Sequence, residues 1–232
     1  MIGVITLFFK EEDIIEKILL VLVALSAGGL LGGAFFHLLP EAISELASTS
    51  LSTINLFTNL IFGFCTFFFL EQFIEWYHEH YNIHQKKPVS FLVLISDLIH
   101  NFIDGLVISS SFMFSSQLGV STTLAVALHE IPQEIGDFRI MVYGGFEKVK
   151  ALIWNFLSAI TVVLGGLFGF FLYTLVIDIA VPLLAFTAGN FIYIAASDLI
   201  PEIKHEKEFQ RNILNFSTFL MGIFIMYVLK HI

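Results

Sequence analysis

Long apolar runs alternate with short polar ones along the whole chain. Seven runs are long enough for a helix to cross a bilayer, which takes about 20 mostly apolar residues: roughly 18–39, 54–76, 91–112, 118–139, 149–173, 181–200 and 210–230. The connections between them are short and leave no room for a soluble domain, so residues 1–232 read as a single transmembrane domain. Met1–Lys10 is apolar but half a span long, and it lacks the basic start of a signal peptide. It reads as the tail of a further helix or as an interfacial segment. The predicted fold is all-α: a polytopic membrane helix bundle with seven full spans and an N-terminal stub.

Composition agrees. Hydrophobic residues make up 57% of the chain and charged residues 13%, about half the charge of an ordinary soluble protein. A water-facing surface needs more. The formal charge of −9 would repel a phosphate backbone, so no nucleic-acid partner is expected. A lone cysteine, Cys65, excludes a disulfide framework and a cysteine-cluster metal site.

The basic residues give the orientation. Lys10, Lys17, Lys86, Lys87, Lys148, Lys150, Lys204, Lys207 and Arg211 all fall in one set of alternate loops, and the opposite loops hold none. By the positive-inside rule the cationic side is cytoplasmic and the C-terminus is outside.

Two adjacent spans break the apolar pattern. Residues 91–112 carry Asp97, His100, Asn101 and Asp104; residues 118–139 carry His129, Glu130, Gln133, Glu134 and Asp137. A charge at the bilayer centre costs about 2.5–3.5 kcal/mol on insertion scales, so such groups face a partner, a cavity or an ion. At 1.5 Å of rise per residue, His100 lies roughly 13 Å in from one end of its span and His129 roughly 16 Å in from the other. Antiparallel helices would bring the two imidazoles level, near the midplane. Asp97, His100 and Asp104 form one helical stripe; His129, Gln133 and Asp137 form another, with Glu130 and Glu134 about 100° around. Mixed imidazole and carboxylate donors without thiolate suit Zn²⁺, Fe²⁺, Mn²⁺ or a similar divalent ion. A metal site or a proton pathway follows. Pro132 removes a mid-helix donor and frees the Leu128 carbonyl, and Gly28/Gly32, Gly29/Gly33 and Gly165/Gly169 are small-xxx-small pairs that let helices approach closely.

Residues 27–41 (AGGLLGGAFFHLLPE) and 188–202 (AGNFIYIAASDLIPE) align without gaps, sharing Ala, Gly, Ala, Leu, Pro and Glu. The spans run these copies in opposite directions, the arrangement of transporters built by inverted duplication. The copies place His37 and Glu41 at the outer mouth and Asp198 and Glu202 at the inner one, with His205 just beyond. These are candidate way-stations for a cation, or ordinary helix ends.

The segments HNFIDG (100–105), HEIPQEIGDF (129–138), FHLLPEA around His37 and AGNFIYIAASDLIPE resemble the ZIP (Zrt/Irt-like) family of divalent-metal transporters, in its LIV-type branch, over essentially the whole chain. The resemblance implies a 3+2+3 inverted-repeat architecture of eight helices, the first mostly missing here, and usually a homodimer in the plasma membrane. It implies carriage of Zn²⁺ or a similar ion towards the cytoplasm as substrate, with no cofactor and no enzymatic activity. Carried over by motif, His100, Asp104 and His129 would hold the primary metal. Asn101 and Glu130 would contribute to a second site bridged by Asp104. Gln133 stands where the branch has His, so a neutral amide replaces a strong ligand. HEIPQ also resembles the HExxH of zinc hydrolases, and an intramembrane hydrolase is the alternative reading, although Gln133 replaces its second His. His78, His80 and His84 fall in a polar loop to which no site is assigned.

Overall fold

The computed structural model describes residues 12–80, 87–143, 145–175, 179–204 and 208–231. Among the described residues the chain forms helical rods only. Rod α1 runs Glu12–Gly32, through a π-helical turn at Gly33–Leu38, into Leu39–Leu46. It is followed by α2 (Thr53–His80), α3 (Lys87–Phe114) and α4 (Ser116–Tyr143). Rod α5 is Lys148–Ala159 and Thr161–Leu175, tightening at Ile160. Rod α6 is Ala180–Tyr193, a π-helical turn at Ile194–Leu199 and Ile200–Lys204; α7 is Phe209–Leu229. The rods coincide with the predicted spans and extend past most of their ends by one to seven residues, because the sequence pattern marks only the apolar middle. Met1–Lys10, His84 and His205 lie outside the described residues, and the side chains of His78 and His80 are not described.

Rods α1, α2, α5, α6 and α7 contain stretches long and apolar enough to cross a membrane: Lys17–Leu46, Thr53–Phe73, Lys148–Leu172, Val181–Lys204 and Phe209–Leu229. Rods α3 and α4 carry the polar residues; each has 28 residues, about 42 Å of helix. They are also shielded. Rod α4 lies between α1 and α3, and α3 between α4 and α5. The outward faces of α2, α5 and α7 carry exposed Phe62, Phe69, Phe168, Phe171 and Phe224, apolar surface suited to acyl chains.

The two π turns begin at the same place in the aligned segments, Gly33 and Ile194 each being the seventh residue of its copy. Leu39 N–H donates to the Ala34 carbonyl and Ile200 N–H to the Ala195 carbonyl, each five residues back. Proline follows at once in both, at Pro40 and Pro201. A proline has no N–H to donate, and its ring crowds the carbonyl four residues back. Widening the preceding turn by one residue relieves that crowding.

Three helix pairs cross with their backbones in contact, and each crossing uses one glycine from either side. A Cβ on Gly28 would strike the Phe219 carbonyl, and one on Gly222 the Leu25 carbonyl, which fastens α1 to α7. Gly63 meets the Phe186 carbonyl and Gly189 the Leu60 carbonyl, between α2 and α6. Gly105 meets the Val162 carbonyl and Gly165 the Phe102 carbonyl, between α3 and α5. In every case the carbonyl belongs to the residue three before the partner glycine. Such reciprocal packing is how helices associate where lipid removes the hydrophobic drive between them.

Candidate metal site

The α3 and α4 stripes meet at one level, as the depth arithmetic expects. His100 Nε2 and His129 Nε2 are 3.1 Å apart. Asp104 Oδ2 lies 3.7 Å from the first and 3.3 Å from the second; Glu130 Oε1 lies 3.4 and 3.6 Å from the same two atoms. A tetrahedron of ligands about zinc, with bonds of 2.0–2.1 Å, has edges of about 3.3–3.4 Å. Five edges of this donor set therefore sit within about 0.4 Å of what zinc requires.

The donors are aimed before any ion arrives. His129 is 1% exposed, and its Nδ1 is 3.2 Å from the Ala125 carbonyl one turn back. Donation from Nδ1 leaves the Nε2 lone pair facing the site, the tautomer a metal needs. Phe67 of α2 stands edge-on to the His100 ring. Asp104 is completely buried and neither of its carboxylate oxygens has a hydrogen-bond partner; Glu130 Oε1 also lacks one. Buried carboxylate oxygens are costly to leave unpaired, and a cation among them satisfies all at once.

Asn101 donates its amide nitrogen to Asp97 Oδ1 at 2.9 Å, and Gln133 does the same at 3.4 Å. Both support Asp97 in this conformation. Gln133 and Asp137, on the same α4 stripe as His129, line a cavity of about 410 Å³. His100, His129, Asp97, Glu71, Tyr193 and Asp198 line it too. In sequence, Asp97 lies between Lys87 and His100 and Asp137 between His129 and Lys148, while Glu71 and Asp198 lie towards the lysine-side ends of α2 and α6.

Of the two candidate mouths, Asp198 opens onto this cavity, whereas His37 does not. His37 is 2% exposed, with Nε2 2.7 Å from the Met226 carbonyl of α7. The Leu128 carbonyl freed by Pro132 is taken by the Ser26 hydroxyl of α1. Ser26 is fully buried, so Ser26→Ala should strand that carbonyl at a cost of about 1–3 kcal/mol. Thermal unfolding of the purified protein should show a lowered midpoint with metal binding retained.

The family profile described as ZIP Zinc transporter matches residues 1–89 and 78–230. The chain belongs to the ZIP family. Curated ZIP relatives include "Zinc transporter ZIP13" of Pongo abelii, 34% identical over 88% of this chain and 65% of that protein. "Zinc transporter zipt-7.2" of Caenorhabditis elegans is 37% identical over 62% of this chain and 32% of its own length. "Zinc transporter YKE4" of Saccharomyces cerevisiae is 26% identical over 94% and 71% respectively. The share of a curated ZIP relative's own length that this chain spans is 65% in the Pongo abelii protein, and ranges from as little as 14% to as much as 74% in others. With family and spans together, it is a multi-pass membrane protein.

Sequence reasoning missed three contacts around the ZIP site. Tyr193 hydroxyl donates to Glu71 across α6 and α2 at the cavity wall. Asn155 of α5 donates its amide to Glu134, and Ser26 caps Leu128. Each is a polar residue in a mostly apolar span, a signal present in the sequence but without a partner until the rods are packed.

Proposed function

We propose that this chain carries a divalent cation, zinc first, across the membrane through the site formed by His100, Asp104, His129 and Glu130. The observation that carries the reading is the near-tetrahedral spacing of two imidazole nitrogens and two carboxylate oxygens, with both imidazoles in the wall of a carboxylate-lined cavity. The names of the relatives favour zinc. A hydrolase is disfavoured because catalytic zinc keeps one position open for water, and here four protein donors already fill a tetrahedron. The amide of Gln133 also stands where a hydrolase motif needs its second His.

The direction proposed is towards the cytoplasm. The cavity joins the site to Glu71 and Asp198, near the lysine-bearing ends, while His37 at the opposite mouth is sealed against Met226. With the lysine-rich side taken as cytoplasmic, these contacts support a conformation facing that side, and alternation then requires a second one open through the His37 side. The paired π turns and the reciprocal crossings of α1 with α7 and α2 with α6 support an inverted duplication, since swapping the halves exchanges one crossing for the other. On the resemblance, the assembly is a homodimer in the plasma membrane.

Purified protein in liposomes should take up radiolabelled zinc saturably, and metal analysis should find zinc bound before reconstitution. Wild-type protein that neither binds nor transports zinc, manganese or iron would sink the proposal. Bound metal with peptide cleavage in place of uptake would return the hydrolase.

A further inference from the structure

Ser26 and Thr187 stand immediately before the two aligned segments, and Gly29 and Asn190 are the third residue of each. The positions in the first copy are in use. The Ser26 hydroxyl faces two carbonyls, Leu22 of its own rod at 2.7 Å and Leu128 of α4. A Cβ on Gly29 would come within 3.2 Å of the Leu128 side chain. Rod α1 thereby holds α4 at the residue before His129. The positions in the second copy carry the same kind of chemistry without that use. The Thr187 hydroxyl donates to the Leu183 carbonyl, four residues back, and among the described residues it reaches no other rod. Asn190 is completely buried, and neither its Oδ1 nor its Nδ2 has a hydrogen-bond partner. An amide buried in that way is costly.

We infer that Thr187 and Asn190 are a second latch, built for the conformation opposite to this one, in which α6 takes hold of α3 at Ile99 as α1 now holds α4 at Leu128. Rod α3 is the counterpart of α4: His100 meets His129, and Ile99 precedes the one as Leu128 precedes the other. In this conformation α6 packs less extensively against α3 than α1 does against α4. Exchanging the halves of an inverted duplication converts one conformation of a carrier into the other. The contact made by Ser26 and Gly29 then passes to Thr187 and Asn190, and the idle amide gains partners on α3. Both are positioning residues, which act on the metal only through the place of α3. The inference rests on the carrier reading above, in which the site opens to either side in turn.

The two latches are unequal. Pro132 leaves the Leu128 carbonyl without its helical donor, and the Ser26 hydroxyl supplies one. Ile103 stands at the matching place of α3 and keeps its N–H. The Ile99 carbonyl is therefore served within its own helix, and Thr187 would add a second bond to its other lone pair. A bond that rescues a stranded carbonyl is worth more than one added to a satisfied carbonyl. The metal-free protein accordingly rests in the conformation held by Ser26.

The test cross-links cysteine pairs in the reconstituted full chain, in a Cys65→Ser background, with a short bis-methanethiosulfonate. Gly29→Cys with Leu128→Cys reports the present contact, and Asn190→Cys with Ile99→Cys the exchanged one. Both pairs should close, each should stop zinc uptake until reduced, and a chain carrying all four cysteines should never close both. Ser26→Ala should raise the yield at 190 and 99. Thr187→Val should lower the maximal uptake rate about fivefold, the worth of one ordinary hydrogen bond, with the number of zinc ions bound unchanged; Thr187→Ser should restore the rate. Asn190→Leu, near-isosteric, should slow uptake without lowering the thermal midpoint, a combination that a packing residue does not give. Closure at 29 and 128 alone, with wild-type uptake present and untouched by Thr187→Val, would overturn the latch and leave the carrier standing. Both cross-links in one chain would overturn it too, since the two contacts would then coexist. Exclusive closure at both pairs in a protein that moves no metal would remove the carrier and keep the latch.

Discussion

Asp104→Ala is expected to reduce saturable zinc uptake in liposomes to background, and to leave the metal-free protein at least as heat-stable as wild type. The two halves have one cause. Asp104 is fully buried, and neither oxygen receives a hydrogen bond; the two imidazoles stand 3.3 and 3.7 Å from it. Without an ion, burying such a group costs free energy, on the order of 1–3 kcal/mol for one unsatisfied polar group. Alanine removes that cost together with one of four ligands. Residues that merely orient a ligand are worth about 10–100-fold in metal affinity, so losing a ligand should cost about 100-fold or more. Zinc should raise the thermal midpoint of wild type, because an ion that binds only the folded state stabilises it in proportion to the logarithm of its concentration. The variant should show no such rise. A fall in the metal-free midpoint would make Asp104 a packing residue and count against the site. His100→Ala and His129→Ala should lose uptake in the same assay, without the gain in stability, since His129 Nδ1 also meets the Ala125 carbonyl.

How much of this was legible in the sequence depends on the range of the interaction. The seven rods were, because bilayer thickness sets span length and each apolar run reports itself. The meeting of His100 with His129 was, because rise per residue converts position into depth. The Pro-Glu repeat pointed to paired local geometry, and a proline four residues past a carbonyl could have warned of the widened turn. What was not legible involves partners far apart in sequence. Gly63, Gly105, Gly189 and Gly222 have no glycine four residues away; each is matched by a glycine on another rod. The amide nitrogen of Gln133 on α4 donates to Asp97 of α3. His37 was a candidate way-station from its place at a helix end, but the π turn brings it under Met226.

Gly105→Val should be the most destabilising single change in α3, and Gly136→Ala one of the mildest in α4. A Cβ at 105 would overlap the Val162 carbonyl and crowd Gly166 N, and both are backbone. No rotamer change relieves backbone, so α3 and α5 must separate. Overpacking a well-filled core costs about 1–3 kcal/mol and sometimes more; here the second glycine of the crossing, Gly165 against Phe102, would part as well. Position 105 follows Asp104 directly, so any outward shift of α3 also opens the distances from Asp104 and His100 to His129. Loss of monodisperse protein on size exclusion, or uptake below a tenth of wild type where protein survives, is the expected result. Gly165→Val should match it from the far side of the crossing while touching no donor, and this separates a packing failure from a ligand failure. At Gly136 a Cβ meets nothing within 4 Å, and alanine gains about 1 kcal/mol of helix preference over glycine. A stable, active Gly105→Val protein would mean that α3 and α5 do not approach as closely as their backbones indicate, and that the spacing of the metal donors is set elsewhere.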